Sequence, residues 1–300
     1  MSRACPVAFP GSGNLVHSTA MISIRPMTVA DIPLGLKLAR QAGWNQIESD
    51  WRRFLFLQPD GCFVGALDGT AVATTAAFIF GPVAWIAMVL VDIDSRRKGV
   101  ATALLKHALD FLDGRGIKTV RLDATAAGQP VYEKLGFVPE YPLTRYMGTA
   151  APSPRPSALT LPPTIGRQLK AIVAFDRSMT ATPREKMLAR LFEESPELTR
   201  ALYRDGQVEG YVTGRRGANA TLLGPCIATS HAGPTLLGEA LSRCAGQLVF
   251  VDVPRDNAPA LEIVEKSGLT IQRHFTRMCR GARIQDHVEA IWASSGPEKG

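Results

Sequence analysis

Three hundred residues exceed one ordinary hydrophobic core and point to two domains of about 150 residues each. A composition of 46% hydrophobic and 20% charged residues is that of a globular chain, and no apolar run approaches the ~20 residues of a membrane-spanning helix. The net charge of +7 divides evenly, with 15 Lys/Arg against 12 Asp/Glu up to Gly148 and 19 against 15 beyond it, so no basic arm or stripe speaks for nucleic acid.

Residues 1–21 carry Pro6, Pro10, Gly11 and Gly13 without periodicity. They lack the basic-then-apolar pattern of a signal peptide and read as a flexible arm, or as a leader ahead of a start at Met21. Ile22–Arg25 alternates as a short strand. Thr28-Val-Ala-Asp31 makes a capping box for a helix carrying Ile32, Leu34, Leu36, Leu38 and Ala39, and a second helix is expected near Ile47–Leu57. Cys62–Leu67, Ala71–Phe80 and Val83–Val91 read as strands separated by the turn signals Asp68-Gly69 and Gly81-Pro82. A helix over Gly99–Leu112 follows from apolar spacing, then a strand at Thr119–Leu122, a helix at Gln129–Leu135 ended by Gly136, and a strand at Phe137–Tyr146. This order predicts an α/β chain of the α+β type, built on a mixed sheet.

Residues 149–165 contain Pro152, Pro154, Pro156, Pro162 and Pro163 and read as a linker that continues neither helix nor sheet. A second α/β unit is expected over residues 166–300. Thr182-Pro183-Arg184-Glu185 reads as another capping box, opening a helix through Phe192. Strands are expected at Ala201–Tyr203, Val208–Arg215, Ala220–Leu223, Leu248–Val253 and Thr270–Met278, with helices at Thr235–Cys244 and Ala258–Lys266. Val120-Arg-Leu-Asp123 followed by Tyr132-Glu-Lys-Leu-Gly-Phe137 is echoed by Val249-Phe-Val-Asp252 followed by Val264-Glu-Lys-Ser-Gly-Leu269, which favours internal duplication.

The five cysteines (Cys5, Cys62, Cys226, Cys244, Cys279) are odd in number and lack any CxxC, which fits a reducing cytosol. The five histidines form no ligand pair, so no metal site is expected. The chemistry-bearing stretch is Val89-Leu90-Val91 running into Arg96-Arg97-Lys98-Gly99-Val100-Ala101-Thr102. A buried strand there enters a basic, glycine-containing turn that opens a helix. Unpaired N–H groups and the positive dipole end suit a pyrophosphate, although a plain strand-to-helix turn with surface cations has the same composition. The spacing is neither that of a nucleotide P-loop nor of a dinucleotide fingerprint.

Arg96-x-x-Gly99-x-Ala101, set in this order of elements and followed by Tyr132-Glu-Lys-Leu-Gly-Phe137, resembles the GNAT superfamily of N-acetyltransferases. The resemblance covers residues 22–148 as a well-formed module and implies a second, divergent GNAT-like module after the linker. It implies acetyl-CoA as co-substrate, its pyrophosphate on the backbone of Arg97–Thr102 and its pantetheine arm along the edge of Val89–Val91. The expected reaction is direct attack on the thioester by the neutral amine of a small molecule, with Tyr132 as the acid for the leaving thiolate. Ile93 stands where many members have proline. The glutamate that many relatives carry on the fourth strand is missing from Trp85–Val91, which leaves Asp92 and Asp123 as expected bases, directly or through water. Trp44, Asn45 and Gln46 fall where the family shapes its acceptor site, and Tyr211 of the second module is a further acceptor contact. In that module Leu223–Gly233 takes the place of the phosphate turn without its spacing or cations, and Val264 replaces the tyrosine, so it is expected to have lost coenzyme A and to wall the acceptor pocket. A cytoplasmic monomer or homodimer is expected, with no membrane or nucleic-acid partner. Two other readings stay open: a non-catalytic acyl-CoA-binding or regulatory protein, and a transferase using a longer acyl-CoA or an aminoacyl-tRNA.

Overall fold

The computed structural model describes residues 21–151 and 168–300; the expected arm over 1–20 and most of the proline-rich linker lie outside the described residues. The first half runs β1 (Ile22–Pro26), α1 (Ile32–Gln41), α2 (Glu48–Leu57), β2 (Cys62–Leu67), β3 (Thr70–Phe80), β4 (Val83–Val91), α3 (Val100–Asp113), β5 (Thr119–Ala124), α4 (Gln129–Glu133) and β6 (Val138–Thr149). The second runs α5 (Leu169–Thr180), α6 (Glu185–Glu194), β7 (Arg200–Arg204), β8 (Gln207–Arg215), β9 (Thr221–Ala228), α7 (Gly233–Arg243), β10 (Leu248–Pro254), α8 (Ala258–Lys266), β11 (Thr270–Gly281) and β12 (Ile291–Ala293).

Local chemistry explains most of these boundaries. The Thr28–Asp31 capping box is present, with the Thr28 N–H donating to Asp31 at 2.8 Å, and it opens a 3-10 turn that leads into α1. The Arg25 guanidinium on Asp31 holds the pKa of that carboxyl at about 2. The second expected capping box does not form. Thr182 Oγ1 donates instead to the Thr180 carbonyl at 2.9 Å, and α6 begins after Arg184, whose guanidinium is buried against Asp176. Helix α5 was not legible because its inward face carries Asp176 and Thr180 beside Ile172, which interrupts the apolar stripe.

All twelve described strands belong to one mixed sheet, ordered β1-β2-β3-β4-β5-β11-β6-β10-β9-β8-β7, with β12 paired to β9. Each half therefore lends its last long strand to the other. β11 lies between β5 and β6, and β6 between β11 and β10, all antiparallel. The two exchanged strands carry matching ion pairs. Arg277 on β11 sits opposite Asp123 on β5 and donates to both its oxygens at 2.9 and 3.0 Å; Arg145 on β6 sits opposite Asp252 on β10 and donates to both its oxygens at 2.6 and 2.7 Å. Bidentate pairs of this kind fix register as well as adding attraction.

Alternate residues of β3 and β4 face opposite layers, as a pleated strand requires. Phe78, Phe80, Trp85 and Ala87 join a core that includes Leu38, Trp51 and Phe54 of α1 and α2 together with Met187, Leu188 and Leu191 of α6. Ala73, Ala77, Ala84 and Ile86 turn to the other face, against Leu104, Leu105 and Ala108 of α3. In the second half α7 packs on β8 and β9 in the same manner. No described helix is long and apolar enough to cross a membrane.

Candidate active site

Strands β4 and β5 run parallel but pair only at Val83–Thr119, Ala84–Val120 and Trp85–Arg121. From Ile86 onward they diverge, which leaves the β4 edge unpaired on that side. A register shift against β3 and a left-handed backbone at Met88 (φ 55°) mark a bulge where the divergence develops. Thr74 and Thr75 support it by donating their hydroxyls to the Met88 and Ala87 carbonyls at 3.0 and 3.3 Å.

Beyond β4 the chain makes a 3-10 turn at Ile93–Ser95 and reaches α3 through two left-handed residues, Arg97 (φ 63°) and Gly99 (φ 84°). Gly99 caps α3 without any side-chain hydrogen bond, and no acidic residue stands in the helix's first turn. The first N–H groups of α3 thus have no side-chain acceptor, and the alternating backbone handedness gathers them into a concavity of the kind that can hold an anion. A cleft runs from this turn along the β4 edge, lined by Val89–Val91, Arg96, Arg97 and Gly99–Thr102. Lys98 is not among its walls.

A second, narrower cavity lies on the other side of the strand gap. The two share Trp44, Val89, Asp123, Thr125 and Tyr132, so cleft and cavity meet at these residues. Tyr132 stands edge-on to Phe137, with ring centroids 6.0 Å apart, and its hydroxyl has no hydrogen-bond partner among the described residues. Burial pushes its pKa up to about 12.

The structure brings Trp44, Asn45, Gln46, Asp123 and Tyr132 to this cavity and leaves Asp92 and Tyr211 outside it. Asn45 spends its amide on the second half, donating to the Ala220 carbonyl at 2.9 Å and accepting from the Asn219 and Ala220 N–H groups at 2.8 and 3.0 Å. Gln46 is 8% exposed and its Oε1 has no partner among the described residues. Asp92 accepts from Lys37 at 2.7 Å and from the Asp94 N–H at 3.2 Å, and Lys37 holds its carboxyl below the usual range. Tyr211 is fully buried and donates to Asp176 at 2.6 Å. Asp123 reaches the cavity, yet both its oxygens are taken by Arg277. Burial raises its pKa against that pairing.

Residues 287–300 complete the arrangement, and sequence reasoning assigned them no role. In the second half β9 and β10 are also parallel and pair only at residues 221–223 with 249–251. Here β12 enters the gap and pairs with β9 at Cys226 and Ile227. Trp292 fills the space before α7 so closely that a β-carbon at Gly233 would overlap its indole, and its Nε1 donates to the Ala228 carbonyl at 3.2 Å. The site that corresponds to the first cleft is therefore filled by the chain itself. The segment then turns inward. Trp85 Nε1 donates to the Pro297 carbonyl at 2.9 Å, and Glu298 accepts from Arg215 and Lys299 while helping to wall the second cavity.

Two family models match the chain in sequence. Residues 35–137 match the acetyltransferase (GNAT) family and residues 172–293 an acetyltransferase (GNAT) domain. The chain belongs to the GNAT acetyltransferase superfamily as two such domains in tandem, and is an acyltransferase. Among curated relatives it is similar to the uncharacterized N-acetyltransferase YitH of Bacillus subtilis, 27% identical over 65% of this chain and 69% of that protein. It is also similar to holothin acyltransferase of a Pseudoalteromonas species, 25% identical over 86% of this chain and 87% of that protein. The fold matches the crystal structure of a putative acetyltransferase from Pyrococcus horikoshii with a TM-score of 0.77 at 23% identity, over 98% of this chain and 100% of that one.

Proposed function

We propose that the protein transfers an acetyl group from acetyl-CoA to a primary amine of a small molecule in the cytoplasm, using one coenzyme A site per chain. The observation that carries this reading is the meeting of the long cleft and the acceptor-side cavity at Tyr132. One side would admit a donor along the β4 edge, the other an acceptor, and both would reach the same unpartnered phenol.

In this reading the N–H groups of Gly99–Thr102 hold the pyrophosphate, with Arg96 and Arg97 adding charge, and the open edge of Val89–Val91 pairs with the pantetheine arm. The bound donor supplies an acetyl thioester; the acceptor nitrogen forms the new N–C bond as the C–S bond breaks. A backbone N–H of the bulged Met88–Val91 segment polarises the thioester carbonyl. Tyr132, kept protonated by burial, gives its proton to the departing sulfur. The nitrogen's surplus proton passes to water in the open cavity and the phenolate is reprotonated from the same water, so protons balance. Asp123 and Asp92 act as structural groups, because Arg277 and Lys37 respectively engage their carboxylates. The exchange of final strands within one chain completes both halves of the sheet, so the reading requires no second copy.

Thiol release from acetyl-CoA and from longer acyl-CoA donors, measured over a panel of amines, tests the activity. Tyr132→Phe should cut kcat by about 100- to 10,000-fold with acetyl-CoA affinity retained. Full turnover in that variant would remove Tyr132 from the acid role. Release with no donor and acceptor pair would leave a protein that binds coenzyme A without catalysis.

A further inference from the structure

Three of the four charged residues that line the acceptor-side cavity have partners of opposite charge. Asp123 is matched by Arg277, Arg145 by Asp252, and Glu298 by Arg215 and Lys299. Arg273 on β11 also lines the cavity and is half-buried, and it has no carboxylate partner among the described residues. Its one side-chain hydrogen bond to them runs from Nε to the side chain of its neighbour Gln272 at 2.8 Å.

The placement of Arg273 is costly in two further ways. It stands directly opposite Arg145 in the β11–β6 ladder, and like charges in that position repel. The ladder also shifts register between Ile271 and Arg273, so a bulge at Gln272 re-aims the arginine. Burial and Arg145 hold the Arg273 pKa below the ordinary guanidinium value, the direction an anion at the site would reverse. The cavity thus holds a half-buried cation with no carboxylate partner among the described residues.

We propose that the acceptor is an amine that also carries a carboxylate, amino acids being the simplest case, with the carboxylate on Arg273. This rests on the acetyl-transfer reading above and adds the substrate class to it. Free amino acids are the source tested, and Arg273 acts as a specificity-determining residue.

The test uses the full chain with saturating acetyl-CoA. Acceptors are α-, β- and γ-amino acids, each beside its carboxamide and its decarboxylated amine. At least one amino acid should exceed its carboxamide by about 10- to 100-fold in kcat/KM, the range of a desolvated charge-assisted pair. Arg273→Gln should erase most of that preference through KM, and Arg273→Lys should restore part of it. Equal use of carboxylates and carboxamides by the native chain overturns the proposal. So does an Arg273→Gln loss that is equal for both acceptor types, the mark of a merely structural role. If no acceptor releases thiol, titration of the same pairs into the chain with coenzyme A decides the matter separately. An Arg273-dependent preference for the carboxylate sustains the site while transfer fails, and no preference removes it.

Discussion

Trp292→Ala is the perturbation that probes the filled second site most directly. The indole is 1% exposed, packs against Gly233 at the start of α7 and donates to the Ala228 carbonyl. Truncating a buried aromatic of this size costs about 3–5 kcal/mol, because the lost transfer energy is joined by the cavity left behind. For a domain of this scale each kcal/mol lowers Tm by about 2–4 °C, so a fall of roughly 6–20 °C is expected by calorimetry or circular dichroism. The same change should be felt at a distance. β12 anchors the segment whose Pro297 and Glu298 wall the acceptor-side cavity, so acceptor KM should rise while acetyl-CoA affinity at the first cleft is retained. A Tm within about 2 °C of the native protein, less than the loss of one kcal/mol would give, with acceptor KM unchanged, would refute the docking of this segment in the β9–β10 gap.

Gly99→Val tests the phosphate turn. At φ 84° a β-branched residue is strained by about 1–2 kcal/mol, yet the nearest atom to an added β-carbon is Ile22 Cδ1 at 3.9 Å, so the fold should survive. Acetyl-CoA Kd by titration calorimetry should rise about 10- to 100-fold, since the side chain would stand where phosphate meets the helix N–H groups; unchanged affinity would sink the assignment of the turn. Arg277→Leu should destabilise by about 3–5 kcal/mol in urea unfolding, since it strands the buried Asp123 carboxylate. Pairing it with Asp123→Leu should recover much of the loss, and simple additivity would show that the two do not act as a unit. Stability should also fall in alkali. Burial pushes Cys62 and Tyr132 up to about 12 from 9.0 and 10.0, so the folded state retains protons that the unfolded chain releases. Their contribution is whole below about pH 9 and is lost as pH rises toward 12, each pH unit between the unfolded and folded pKa being worth ~1.4 kcal/mol. Urea midpoints that hold steady from about pH 8 to 11 would contradict it.

Local signals place the Gly99 turn, strand β4 before it and Tyr132, which are all short-range features set by glycine, by a continuous apolar run and by a helix stop. Asn45 was legible only as a position, since its amide is spent on Asn219 and Ala220, far along the chain. Arg273 and Glu298 gave no signal. An arginine in a strand reads as a solvated face, and a charge near a Gly- and Pro-containing segment reads as loop.

From the sequence alone came the order of elements, the tandem duplication and the asymmetry between the halves, because periodicity, turn chemistry and repeated motifs are written within short windows. The tertiary structure alone decided three things: the exchange of β6 and β11, the filling of the second gap by β12 and Trp292, and the loss of Asp123 to Arg277. Each depends on which distant edge a strand meets. Two final strands of similar pattern, each carrying an arginine that meets an aspartate, can satisfy the same backbone hydrogen bonds and ion pairs on either half, so the choice between partners falls to the tertiary packing around them.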